Sequence, residues 1–315
     1  MGTKDTLAKR YLSQNEIFAD AFNYYFFKGE KVINPDDLIE QDPTESAIIR
    51  KMNKVFTNQK IRDVLKSCTI KHSRHGSLVL LGIEAQAGIN YAMPVRDYLY
   101  DALNYASQVA DISKKHEEND DLSGNEKISG FSKNDRILPV ITLCICFDKD
   151  KWDAPRRLSD MFSIVDPRIS EYINDYKLNL ITPHEIEDFS KFSSELGTIM
   201  EFIHVSDDKA KLRDIIKMKA EESIHLNTVD MINTYVGTKI PTRNVKGGKM
   251  RVCQAFQELL EDERAEGREE GREEGADMLA KLLKVLTPGS KDYDKALNAT
   301  AKQRNKLYKK YGIIE

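Results

Sequence analysis

The chain of 315 residues contains no run of about 18 apolar residues, the minimum for a helix that crosses a membrane. Its opening stretch, MGTKDTLAKRYLSQ, has no apolar segment resembling a secretory signal. Gly2 and Thr6 fit a myristoylation pattern, but so short a pattern arises by chance and no second membrane signal accompanies it. These absences lead to the expectation of a soluble, cytoplasmic protein with no membrane partner. Cysteine is scarce and scattered, at Cys68, Cys144, Cys146 and Cys253. Cys144 and Cys146 would share one strand face, yet the second ligand pair of a zinc site is missing. They read as buried reduced thiols. The six histidines show no metal-ligand spacing. Neither sign of charge dominates, with 48 Lys and Arg against 51 Asp and Glu and a net of -3. That balance excludes a uniformly basic nucleic-acid coat but leaves room for a local basic surface.

With 40% hydrophobic residues, the chain has apolar material for one good core and a helical appendage. LSQNEIFADAFNYYFF brings Ile17, Phe18, Ala21, Phe22, Tyr25 and Phe26 to helical spacing, a face for a core. A polar stretch follows, and then a second helix is expected over roughly residues 45 to 57. KSCTIKHS alternates, RHG turns the chain, and SLVLLGIEAQA is almost continuously apolar up to Glu84. The two runs predict a hairpin whose second strand is central and covered on both faces. Pro94 opens a helix through PVRDYLYDALNYASQVADI. Its apolar stripe is Val95, Leu99, Leu103, Ala106 and Val109, with Arg96, Tyr100, Asn104 and Gln108 on the other face. Residues 113–136 are polar and charged and read as a flexible insertion. ILPVITLCICF and YKLNLIT are further strands, so the order is helix, hairpin, helix, strand, strand in an α/β domain of about 200 residues.

Helix dominates from about residue 190. It is interrupted by KIPTRNVKGGKMR, which holds no acid and presents Lys246 and Lys249 as candidate phosphate contacts. Its GGK is not a P-loop. A repeat, RAEG-REEG-REEG, spaces Gly267, Gly271 and Gly275 four apart. The glycines could let a second helix approach closely, or the segment is simply a solvated connecting helix. The last residues read as two short helices around a Pro-Gly turn, either a self-association tail or a small helix-turn-helix unit.

The chemistry gathers on the hairpin. Glu84 and Gln86 are two apart at the end of the apolar strand and share a face. Asp63 lies just before the first strand, and a hairpin brings the start of its first strand to the end of its second. Asp63 and Glu84 should therefore meet at one end of the sheet, where two carboxylates repel unless a cation or proton lies between them. Hard oxygen ligands, few in number and with room for waters, suit Mg²⁺ or Mn²⁺.

An acid followed about twenty residues later by Glu-x-Lys on a hairpin is the signature of the PD-(D/E)XK nucleases. More narrowly, the stretch from RDVLK through LLGIEAQAGINYAMPVRDYLYDALNY resembles the Rpn family of recombination-promoting nucleases, also described as transposase-like. The similarity continues through LPVITLCICF, Trp152-Asp153-Ala154-Pro155 and the Gly-Arg-Glu-Glu tail, and so covers most of the chain. What this resemblance implies is a restriction-endonuclease-like α/β core, a central mixed sheet flanked by helices, over residues 1–205. A helical region with the basic loop over 206–260 and a helical tail over 261–315 would follow it. The activity implied is metal-dependent DNA endonuclease chemistry, with DNA as partner and Mg²⁺ or Mn²⁺ as cofactor. Asp63 and Glu84 match the family's metal-binding acids, and Asp20 matches its first-helix acid by position.

Gln86 stands where the broader superfamily places its lysine, and this family is similar in using glutamine there. A glutamine can orient water or phosphate but cannot act as a base near neutral pH. Asn23 stands where a lysine is expected in the family's first helix. Arg96, Tyr100 and Gln108 become candidate DNA contacts on the helix beside the cleft. The alternative is a catalytically inactive DNA-binding or oligomeric scaffold that keeps the fold. A DDE-type transposase is disfavoured because no third acid follows at the required long spacing.

Overall fold

The computed structural model describes residues 3–41, 63–72, 75–163, 166–240 and 246–314. The helix expected at 45–57 and the tip of the hairpin turn lie outside these residues. Elements are numbered in chain order. Ahead of the hairpin come α1 (Thr3–Leu12), α2 (Asn15–Phe27) and a short β1 (Leu38–Glu40). The hairpin itself is β2 (Val64–His72) and β3 (His75–Gln86). Next come α3 (Met93–Asn119), α4 (Gly124–Ser129), β4 (Val140–Cys146), a single turn α5 (Pro167–Ser170) and β5 (Leu180–Ile181). The first compact unit closes with α6 (Leu196–His204), α7 (Lys209–Met218), β6 (Ser223–His225), α8 (Leu226–Val236) and β7 (Lys249–Arg251). The architecture is α/β, with a mixed five-stranded sheet flanked by helices.

The sheet order is β1-β2-β3-β4-β5. The pairs β1–β2 and β2–β3 are antiparallel, whereas β3–β4 and β4–β5 are parallel. Central position explains the apolar run of β3, since residues 79–86 are all buried. The hairpin register sets Val64 opposite Ile83 and Leu65 opposite Gly82. One face carries Val64, Lys66, Cys68, Leu81 and Ile83, and the other carries Leu65, Leu80, Glu84 and Gln86. Lys66 is only 2% exposed. Its ammonium donates to the Ser13 carbonyl at 2.6 Å and to the Asn15 side chain, tying β2 to the α1–α2 junction. Burial pushes the Lys66 pKa down.

The helix α3 is turned the opposite way from its apolar periodicity. Met93, Asp97, Tyr100, Asp101 and Asn104 are buried, while Val95 and Tyr98 are each 44% exposed and Val109 is 37% exposed. Of the stripe expected to face the core, Val95, Ala106 and Val109 are exposed and Leu99 and Leu103 are half-buried. Partners explain the inversion, because a buried polar group is tolerated when it is hydrogen-bonded. Asp101 accepts from the Thr142 hydroxyl at 2.5 Å and from the Tyr176 hydroxyl at 2.7 Å. The Tyr105 hydroxyl receives the Val140 N–H at 3.1 Å. Gln108 accepts the Leu138 N–H at 2.6 Å and donates to its carbonyl at 3.1 Å. A polar helix face thus serves the backbone that enters β4.

The segment 113–136 is folded rather than a flexible insertion. It contains the end of α3 and all of α4, and His116 staples it, with Nδ1 2.6 Å from Asp121 and Nε2 2.9 Å from Asp135. An imidazolium can donate to both carboxylates at once, whereas either neutral tautomer can donate to only one. Hydrogen bonds to Asp121 and then Asp135 raise the His116 pKa. A raised folded-state pKa means the added stability is full below the ordinary histidine value, about 6.5, and is lost as pH climbs through the folded value. Amide exchange across 113–136 is expected to speed up, beyond its intrinsic pH dependence, as pH rises above that range. A His116→Gln chain should lose this pH response, and an unchanged response would remove the staple from the account.

Residues 206–252 do not form a separate region. The first compact unit runs from Met1 to Val252 and the second from Cys253 to Glu315. Packing of α8 into the core accounts for the boundary: Val229, Met231 and Ile232 are fully buried, and the Tyr235 ring lies 4.9 Å from that of Phe147. The second unit is helical, with α9 (Val252–Val285), α10 (Lys291–Asn298) and α11 (Ala301–Lys310). At Gly271 and Gly275 an added Cβ would meet nothing within 4 Å. The close approach that the glycine spacing permits is therefore not made at these two positions within the chain. Among the described residues, no helix is long and apolar enough to cross a membrane.

Candidate active site

The site lies at the end of the sheet where β2 begins and β3 finishes. Since Val64 pairs with Ile83, Asp63 falls beside Glu84 one step further along. The Asp63 carboxylate reaches across and accepts the Ala85 N–H at 3.1 Å. Asp63 is 7% exposed and Glu84 is fully buried. In the parallel register Glu84 pairs with Cys144 and Gln86 with Cys146, so both project toward the face covered by α3. The Gln86 carbonyl accepts the Phe147 N–H at 2.9 Å, which fixes the strand end that carries its side chain.

From the first turn of α3, Arg96 donates through Nη2 to Glu84 Oε2 at 3.0 Å. Its Nε donates to the Tyr100 hydroxyl at 2.9 Å, one helical turn along. Burial opposes the charge on Arg96, but Glu84, with Tyr100 and Asp63, outweighs it and raises the guanidinium pKa. Tyr100 is pushed up to about 12, by burial first and then by Glu84. Asp97, fully buried on the same helix, adds a further acid to this end of the sheet. Its field reaches both Tyr100 and Cys144, and the thiol of Cys144 is held well above the usual range, chiefly by burial.

Several residues singled out in the sequence are placed elsewhere or occupied. Both Asp20 oxygens face the turn before α6. One accepts the N–H and hydroxyl of Ser193 at 2.8 and 2.9 Å, and the other accepts those of Ser194 at 3.0 and 2.5 Å. Asp20 also lines an open groove of about 1040 Å³ shared with Tyr11, Glu195, His225 and Thr228, which none of Asp63, Glu84, Gln86 or Arg96 lines. Asn23 clamps a backbone turn, accepting the N–H groups of Val32 and Ile33 at 3.1 and 2.8 Å and donating to the Ile33 carbonyl at 2.9 Å. A lysine could not accept these bonds, which is a structural reason for an amide there. Gln108 is committed to Leu138 rather than a cleft. Tyr100, 3% exposed, supports Arg96 rather than lining a DNA path. Lys249 is exposed on β7, in a two-stranded sheet with β6, and the Lys246 side chain lies outside the described residues.

Asp97, buried at this end of the sheet, is not among the residues the sequence singles out. The signal was available in the spacing of Asp97, Asp101 and Asn104, a polar stripe one turn apart that the apolar stripe overshadowed. Among the described residues no three His, Cys, Asp or Glu side chains form a metal-holding group. The donor set of Asp63 and Glu84 fits a small hard cation that keeps most of its waters, and does not fit zinc.

No family model, curated protein or solved structure matches this chain.

Proposed function

We propose that the chain is a restriction-endonuclease-like, metal-dependent DNA endonuclease, acting in recombination or on mobile elements. The observation that carries this reading is the pairing of Asp63 and Glu84 at one end of the β2–β3 hairpin, both buried, with the Arg96 guanidinium 3.0 Å from Glu84. Asp63 and Glu84 would hold Mg²⁺ or Mn²⁺, and a bound ion would supply an activated water and neutralise charge on a scissile phosphate. Gln86, uncharged, orients a water or a phosphate oxygen by hydrogen bonding. Arg96 holds Glu84 in place in the free chain and offers a planar, permanently charged donor to phosphate. Tyr100 fixes the Arg96 side chain through the Nε bond. Burial of Glu84 strengthens every electrostatic interaction made with it.

Plasmid nicking in Mg²⁺ tests the reading. Glu84→Ala is expected to abolish cleavage, and cleavage that persists unchanged in this variant would falsify it. A second reading, an inactive DNA-binding or oligomeric scaffold, is favoured by two observations. Arg96 already occupies one oxygen of Glu84, and Asp20 is tied to Ser193 and Ser194. Calorimetry with Mn²⁺ separates the two. Binding by the intact chain that disappears in Asp63→Ala counts against the scaffold.

A further inference from the structure

The second compact unit carries a surface that the nuclease reading does not use. Leu282, Leu286, Ala296, Leu307 and Tyr308 are buried together, with Met278, Leu279, Leu283, Tyr293, Tyr311, Ile313 and Ile314 packed against them. The C-terminal part of α9, α10 and α11 therefore share one small core. Three polar devices fix α11 on it. Thr300 and Gln303 form a capping box at its start, with the Thr300 N–H donating to Gln303 at 2.9 Å. Arg304 donates to the Ala296 and Leu297 carbonyls at 3.0 and 3.1 Å, satisfying the end of α10. Near its far end, Lys310 and Tyr311 converge on Asp292 at 2.6 and 2.7 Å.

With Leu307 and Tyr308 turned inward, α11 presents Asn305, Lys306 and Lys309 to solvent. These three lie on one face, at the three- and four-residue spacing of helix neighbours. No acidic residue occurs in α11. Residues 276–314 hold nine lysines and arginines against three aspartates, in a chain whose net charge is -3. The second unit as a whole, residues 253–315, holds twelve lysines and arginines against thirteen acids, so the positive excess lies on its C-terminal helices and not on the unit at large.

We infer that the outward face of α11 is a docking surface for duplex DNA. Charge complementarity selects a polyanion. A ten-residue helix is about 15 Å long and fits the major groove of B-DNA, which the deep, narrow groove of duplex RNA does not allow. Lysines supply phosphate contacts that position the helix, and Asn305 can pair with a base edge. An anionic membrane is disfavoured because an interfacial helix needs an apolar face to insert, and Leu307 and Tyr308 are spent in the core. The inference is independent of the metal site.

The test uses the full chain in chelator, so that metal-dependent chemistry contributes nothing. Binding to a fluorescent duplex of mixed sequence is measured across salt concentrations for the intact chain, for Lys306→Glu/Lys309→Glu, and for Lys306→Gln/Lys309→Gln. Both lysines are exposed, and a thermal melt verifies that each variant is folded. The glutamate pair is expected to bind at least about tenfold more weakly. The glutamine pair should reduce the salt slope by about two, because each phosphate contact contributes about 0.9. Unchanged affinity and slope in both variants, or no binding by the intact chain at low salt, would overturn the inference. Equal or tighter binding to duplex RNA, or to vesicles of phosphatidylcholine and phosphatidylserine, would overturn it as well.

Discussion

Arg96→Met is expected to lower the stability of the metal-free chain by about 3 kcal/mol, near the lower end for breaking a buried ion pair from one side. The loss comes mostly from what remains. Glu84 is fully buried, and methionine fills much of the arginine's volume without supplying charge or donors. Glu84→Gln placed on top of Arg96→Met should recover part of the loss, since a neutral amide costs less to bury than an uncompensated carboxylate. Denaturant melts of the four chains in this cycle measure the coupling directly. The same substitution makes a second forecast under the metal reading. The guanidinium and a metal ion compete for Glu84 Oε2, so Mn²⁺ should stabilise Arg96→Met more than it stabilises the intact chain. Equal metal-induced shifts in the two would show that Arg96 does not compete. A stability loss below about 1 kcal/mol would show that the pair is worth no more than a surface bridge.

Asp20→Ala is the other substitution with a large expected effect, again about 3 kcal/mol. The carboxylate takes two backbone N–H groups and two hydroxyls at 2.5 to 3.0 Å. Hydrogen bonds to a charged group contribute about 1.5 to 3 kcal/mol each and are not additive. Its removal also leaves the Ser193 and Ser194 amides without this acceptor just before α6. Mn²⁺ affinity, by contrast, should stay at the level of the intact chain, because Asp20 is bound to the serine turn. A folded Asp20→Ala protein that loses Mn²⁺ binding with little change in melting would add Asp20 to the metal site with Asp63 and Glu84.

The two halves of the site differed in how far the sequence could reveal them. Strand alternation and hairpin connectivity are local rules, so Asp63 and Glu84 could be brought to one sheet end from their positions alone. The buried run through β3 likewise follows from its central place. The orientation of α3 could not be read the same way. Its apolar stripe and its polar stripe are both regular, and hydrophobicity selects the first. The second is buried because Thr142, Tyr176 and the backbone at Leu138 and Val140 offer partners, and those groups lie far along the chain. Asp20 misled for a similar reason. Its role depends on Ser193 and Ser194, remote in sequence, whereas its position in the first long helix was visible at once. The segment 113–136 reads as loop by composition, yet it holds the end of the long helix and a second short one, with His116 set between Asp121 and Asp135.

The mixed pairing of the sheet also sets an order of assembly. Contacts between β2 and β3 are close in sequence and carry a small loop-closure cost, so the hairpin can form before anything distant is in place. Pairing β3 with β4, Leu80 opposite Val140, must wait for the whole of α3 and α4 to be threaded between them. By loop-closure cost Asp63 and Glu84 are expected to come together in the early event, and Arg96, Asp97 and the thiols of Cys144 and Cys146 to arrive with the late one. During folding the two acids meet in water, where their repulsion is screened. They are sealed from solvent only when the helix that carries their counter-charge closes over them.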